Sequence, residues 1–129
     1  MTSQGLAAEY FAWHAQHEFR LQRCQQCRRW IHPATEMCSA CGCTELAWEA
    51  ASGRGAVFTW TITHHPFSPA LASRLPYAVV VVECEEGPRV LTTVTGVDVG
   101  DLRVGMAVSV RFESLDGGPA VAVFGPEDA

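Results

Sequence analysis

Cys24-Gln25-Gln26-Cys27 and Cys38-Ser39-Ala40-Cys41, two CxxC pairs with ten residues between them, decide how the first third of this chain folds. Each CxxC can close into a tight knuckle that presents two thiolates, and two knuckles face to face complete a tetrahedral site for one zinc ion. Four thiolates make a closed, structural site with no coordination position left for a substrate. Iron in a rubredoxin-like setting uses the same four ligands; availability makes zinc the expected occupant. Cys43, two residues after Cys41, offers an alternative ligand, but CxxC geometry pairs Cys38 with Cys41 and leaves Cys43 a free thiol beside the site.

The chain has 129 residues, room for one compact domain or two small modules sharing a core. It is 48% hydrophobic and 18% charged, which is a globular composition. Nine Lys and Arg against 14 Asp and Glu leave a formal charge of −5, so there is no general attraction for nucleic acid or anionic membrane. No apolar run approaches the length of a membrane span. The first residues lack the basic and apolar stretches of a signal peptide, so a cytoplasmic protein is expected. In a reducing compartment, paired CxxC motifs favour metal over disulfides.

Outward from the cysteines, Leu6, Tyr10, Trp13 and His17 recur at spacings of four, three and four, which predicts a helix from residue 3 to about 17 with Ser3 as its N-cap. Its aromatic face needs cover from the cysteine module, the main domain or a partner. The organisation expected is a helix over 1–18, a zinc ribbon over 19–50 and a β domain over 51–129. Within the ribbon, Arg28 to Pro33 includes a short strand that Pro33 ends. Beyond the linker at 50–55, strands are expected at 56–64, 78–84, 89–94, 107–113 and 120–124, with Asp116-Gly117-Gly118 turning between the last two. Residues 96–105 are too few for more than a turn of helix. The fold class is mainly β: an N-terminal helix, a rubredoxin-like ribbon, and five strands whose long connection fits an OB-type barrel, with a sandwich as the competing topology.

Cys84 ends the Val-rich strand on the face of Val80 and Val82 and reads as a buried small apolar residue rather than a nucleophile. His64 and His65 end the first barrel strand and open a long, apolar, proline-bounded connection. In OB folds this loop borders the binding face, so it reads as an interaction surface or lid, with the two histidines as candidates near a ligand. Tyr10 and Trp13 on the helix, and Phe67, Leu71 and Leu75 in the loop, are the candidate partner contacts. His14, His17 and His32 read as packing or surface residues. There is no nucleophile elbow, no phosphate-cradling glycine loop and no HExxH helix, and Glu85-Glu86 read as solvated turn residues. Arg20, Arg23, Arg28 and Arg29 with Trp30 supply the alternative reading, a single-stranded nucleic-acid-binding module, which the net charge opposes.

A longer pattern runs through nearly the whole chain. The aromatic leader precedes Leu21-Gln22-Arg23-Cys24-Gln25-Gln26-Cys27, a connection with Pro33, Cys38-Ser39-Ala40-Cys41-Gly42, Trp48-Glu49 and Ser52-Gly53-Arg54-Gly55. A histidine at the loop start, Pro76-Tyr77, Gly105-Met106 and Val123-Phe124-Gly125-Pro126 follow. This order resembles the OB-fold proteins with a rubredoxin-like zinc ribbon, long labelled domain of unknown function 35. The resemblance implies a non-catalytic partner of thiolase-fold enzymes acting on acyl-CoA: thiolases, synthases, acyltransferases, or aldolases that cut steroid side chains with a lipid-transfer-protein-like subunit. MaoC-type hydratases are further implied partners. It implies structural metal on Cys24, Cys27, Cys38 and Cys41, and a contribution to the partner's CoA channel near the contact residues named above. His32, where relatives carry an aromatic or apolar residue, and Cys43 depart from the pattern.

Overall fold

The computed structural model describes residues 3–64, 77–114 and 119–127. His65, Phe67, Leu71, Leu75 and the Asp116-Gly117-Gly118 turn lie outside the described residues. A helix α1 (Ser3–Ala15) leads into a ribbon of β1 (Arg20–Cys24), β2 (Trp30–Ile31) and β3 (Leu46–Ala50), antiparallel in the order β2-β1-β3. A second sheet follows, built from β4 (Arg54–Thr63), β5 (Tyr77–Cys84), β6 (Arg89–Thr92), β7 (Ala107–Glu113) and β8 (Val121–Pro126). Its order is β6-β5-β4-β7-β8, with a 3-10 turn at Val99–Asp101. The sheet curls until its two sides meet. Val94 bridges Phe124 in parallel, the Phe124 N–H donates to Thr93 O at 3.0 Å, and the Thr95 N–H donates to Phe124 O at 2.8 Å. This five-stranded, curled sheet is the OB arrangement expected from the strand count, and the competing sandwich is not formed.

The alternation of β5 shows why these residues curl around a core. Ala78, Val80, Val82 and Cys84 point inward and are buried, while Tyr77, Val79, Val81 and Glu83 face outward. Cys84 thus packs as a small apolar residue, as expected, and burial pushes its thiol up to about 12. Phe19 and Leu21, from the ribbon side, join the same cluster as Val57, Val108 and Phe124, so ribbon and barrel share one core.

Both glycines of Ser52-Gly53-Arg54-Gly55 are required where the ribbon enters the barrel. Gly53 takes φ +78, and a Cβ there would meet Val110 Cγ1 at 2.5 Å. A Cβ on Gly55 would meet Glu83 O at 2.5 Å and Val82 Cγ1 at 2.8 Å, so only glycine lets β4 lie this close to β5.

The helix ends two residues earlier than its apolar spacing predicts. His17 leaves it at φ +62, stacked on Phe112 at 5.3 Å, and the buried anchor is His14. His14 is 1% exposed and lies against Tyr10, Phe19 and Phe112. Its Nδ1 accepts the Ala122 N–H of β8 at 3.2 Å, so the helix covers part of that strand's edge. Burial, with a smaller repulsion from His32, holds the imidazole down at about 4. The folded state therefore keeps His14 neutral where the unfolded chain protonates it. Its contribution is fully present above about pH 6.5 and declines as pH falls toward 4, by up to about 3 kcal/mol. Urea midpoints of wild type and His14→Gln, compared from pH 7 to 4.5, should converge as pH falls; a constant difference would show that His14 does not titrate in the fold.

Candidate metal centre

The first knuckle grows from the end of β1. Its turn is closed by the Arg28 N–H donating to Cys24 O at 3.0 Å, and the Cys27 N–H points at Cys24 Sγ at 3.4 Å. Arg28 takes the left-handed conformation, φ +66, that finishes the turn. The second knuckle repeats this design: the Gly42 N–H donates to Cys38 O at 2.8 Å, and Gly42 sits at φ +79. The sequence has a glycine at only one of these two equivalent positions. Arg28 is held instead by its neighbours. Its guanidinium reaches Gln25 Oε1 at 3.1 Å and Glu49 at 3.3 Å, and Glu49 also receives Gln25 Nε2 at 2.8 Å and pairs with Arg23 at 3.6 Å. Gln25, then Arg28 and Arg23, hold the Glu49 carboxyl below the usual carboxylate range. Glu49, on β3, is therefore a brace for the first knuckle that the cysteine spacing alone could not reveal.

The two knuckles bring all four sulfurs within 4.8 Å of one another. Cys24 Sγ lies 3.6 Å from Cys41 Sγ, and Cys27 Sγ lies 3.7 Å from Cys38 Sγ. A tetrahedral ion with metal–sulfur bonds of about 2.3 Å needs sulfurs about 3.8 Å apart, so the cage fits. Cys24 and Cys38 are buried, and Cys27 and Cys41 face outward. The thiols do not share charge evenly. The Cys27 N–H and further donors bring Cys24 down to about 6, and the Cys41 N–H brings Cys38 down. At Cys41 the Cys43 N–H pulls the other way, but desolvation and the neighbouring thiols push it up to about 12. Bare, the cage holds protons; a divalent cation displaces them. Cys43 stands outside the group, its sulfur taken by the Glu45 N–H at 3.3 Å.

The arginines singled out for nucleic acid are largely engaged. Arg20 pairs with Glu18 at 2.8 Å and lies over Trp13 at 4.6 Å, and Arg23 covers the Trp30 ring at 4.6 Å. Of the candidate contacts, Tyr10 is half-buried against His14 at 4.3 Å and His32 at 5.0 Å. Burial, then the nearby Cys84, raises its hydroxyl pKa. Trp13 is half-buried under Arg20, and His64 is exposed just past β4. Among the described residues, no helix is long and apolar enough to cross a membrane.

Known proteins share this two-part build. Residues 14–47 match the family described as ChsH2, rubredoxin-like zinc ribbon domain, and residues 48–113 match ChsH2, C-terminal OB-fold domain. A Thermomonospora curvata protein named "Probable enoyl-CoA hydratase alpha subunit" is 33% identical over 106 residues, covering 82% of this chain; this chain spans only 33% of that protein's length. A Methanocaldococcus jannaschii "DUF35 domain-containing scaffold protein" is 30% identical over 107 residues, covering 80% of this chain and 74% of the relative. A solved structure described as "Ltp2-ChsH2(DUF35) aldolase" superposes with a TM-score of 0.84 at 32% identity over 92% of each chain.

Proposed function

This chain belongs to the ChsH2 family of rubredoxin-like zinc ribbons joined to OB folds, and from that premise we propose that it is a non-catalytic accessory subunit of an acyl-CoA-processing enzyme. The partner is a thiolase-like or lipid-transfer-protein-like enzyme, and this chain helps form its acyl-CoA site. The observation that carries the reading is the likeness, over 92% of both chains, to a chain solved as part of an "Ltp2-ChsH2(DUF35) aldolase". The closed sulfur cage supports it, because four cysteine ligands build structure and leave a zinc ion no open position for chemistry. Bond making and breaking then belong to the partner. The hydratase-subunit name of the Thermomonospora relative supports a MaoC-type hydratase as a further member of such an assembly.

Co-expression with a candidate thiolase-like enzyme, followed by gel filtration, tests the reading. The two should elute together at micromolar concentration, with thioester turnover only in fractions containing the partner. Separate elution of two folded, metal-loaded proteins would overturn it.

A further inference from the structure

A groove of about 540 Å³ separates the ribbon from the turn between β5 and β6. Its size is ordinary for a small-molecule site. One wall is the ribbon from Arg28 to Trp30, with Ser39 of the second knuckle beside it; the other is the turn, at Glu86 and Pro88. Ribbon and barrel share one core, so the two walls are held relative to each other.

The walls carry unlike chemistry. On the ribbon, Arg29 is exposed, and its guanidinium makes no ion pair or hydrogen bond among the described residues. Arg28 beside it is tied to Gln25 at 3.1 Å and to Glu49 at 3.3 Å, which fixes a second guanidinium at the same wall. The Trp30 indole is stiffened by Arg23, which covers it at 4.6 Å. On the turn, Glu86 Oε2 accepts the Ser52 N–H at 2.6 Å, while Oε1 is buried and meets no donor among the described residues. A buried acceptor without a donor is costly, so this oxygen marks a position for an incoming N–H.

Cations on one wall and one unsatisfied acceptor on the other suit a ligand with phosphate at one end, an amino group at the other and a flat ring between. Guanidinium groups bind phosphate by charge-assisted hydrogen bonds, and purine rings stack on indole. Adenine brings a single amino group, which matches the single open oxygen of Glu86. Guanine presents two neighbouring N–H groups that suit both oxygens of a carboxylate, and Oε2 is already engaged.

We propose that this groove binds a phosphorylated adenosine, with its phosphates against Arg28 and Arg29, its base on Trp30 and its amino group donating to Glu86. The nucleotide end of CoA and free adenine nucleotides share that chemistry. With CoA as the source, the inference rests on the accessory role proposed above and names the part of the thioester that this chain holds.

Calorimetric titration of the full metal-loaded chain with CoA, adenosine 3′,5′-bisphosphate and ADP, joined to amide chemical shifts, tests it. Uptake should shift Arg29, Trp30 and Gly87 together. Ribose 5-phosphate, which lacks the base, should bind at least ~10-fold more weakly. Arg29→Glu should weaken uptake by ~10-fold or more with ribbon amide exchange unchanged, since that side chain braces nothing described. CoA binding more tightly than ADP would assign the groove to the thioester; equal binding would assign it to free nucleotide and leave the accessory role to stand on its own. No uptake at ~1 mM, or uptake indifferent to Arg29→Glu, would overturn the proposal. Ribose 5-phosphate binding as well as the bisphosphate would reduce the groove to an anion site and overturn it too. Tighter uptake of a single-stranded oligonucleotide than of any of these ligands would replace it with nucleic-acid binding. Failure to co-elute with a thiolase-like enzyme would remove the accessory role but leave these titrations decisive for the groove.

Discussion

Stripping the metal from the sulfur cage should melt the ribbon. The β2-β1-β3 sheet has strands of only two and five residues and cannot stand as a small sheet by its own burial. A structural zinc ion contributes about 10 kcal/mol or more to such a unit near neutral pH. Without it, Cys24 and Cys38 remain buried among crowded thiols that cannot all ionise together, since the same neighbours that help lower the Cys24 thiol pKa raise that of Cys41. Elemental analysis of the native chain should find one zinc per chain. Chelation, or Cys38→Ser, should raise amide exchange across 20–50, with metal released and protons taken up by the freed thiols in a pH-dependent way. The barrel strands β4 and β5 should remain protected longer, although Leu21 ties the ribbon to their core and transmits part of the loss. A metal-free chain with an intact, protected ribbon would show that no ion is needed to hold these hairpins together.

Phe124→Ala should be the most damaging single change within the barrel. The ring is fully buried, packs edge-on against Phe19 at 5.8 Å, and belongs to the residue whose backbone joins the two sides of the sheet through Thr93 and Thr95. Truncating a buried phenylalanine costs about 3–5 kcal/mol through lost transfer energy and the cavity left behind. Here the cavity opens where ribbon and barrel meet, so little can collapse into it. Chemical denaturation of the metal-loaded chain should show that loss, whereas Leu91→Ala, a control at 70% exposure, should change stability by less than about 0.5 kcal/mol. Equal effects of the two changes would mean that the core is not centred on Phe124.

Some features are legible in the sequence because their cause is local. A CxxC knuckle is a few residues of backbone turning on themselves, so the sulfur cage follows from spacing. The alternation of β5 reports its inward face residue by residue, and the glycines of Ser52-Gly53-Arg54-Gly55 mark positions where a side chain has no room. The ribbon's longer strands are less legible: Arg20–Cys24 and Leu46–Ala50 are short and mixed in polarity, and each is a strand because it pairs with the other across the cysteine loops. The helix is legible as a helix, and its Leu6-Tyr10-Trp13 face is half-buried as the spacing predicts; what the spacing does not reveal is His14. His14 is the buried residue because it meets the Ala122 N–H, more than a hundred positions away.

The sequence by itself therefore determined the metal cage, the number of barrel strands and the family to which they belong, since each is written in contacts between near neighbours. Only the tertiary structure decided that Glu49 braces the first knuckle, that a neutral histidine covers the edge of β8, and that β4 bulges at Phe58 in its pairing with β5. Those outcomes depend on which distant backbone group remains unpaired after the sheets close, and that quantity belongs to the whole fold rather than to any stretch of chain.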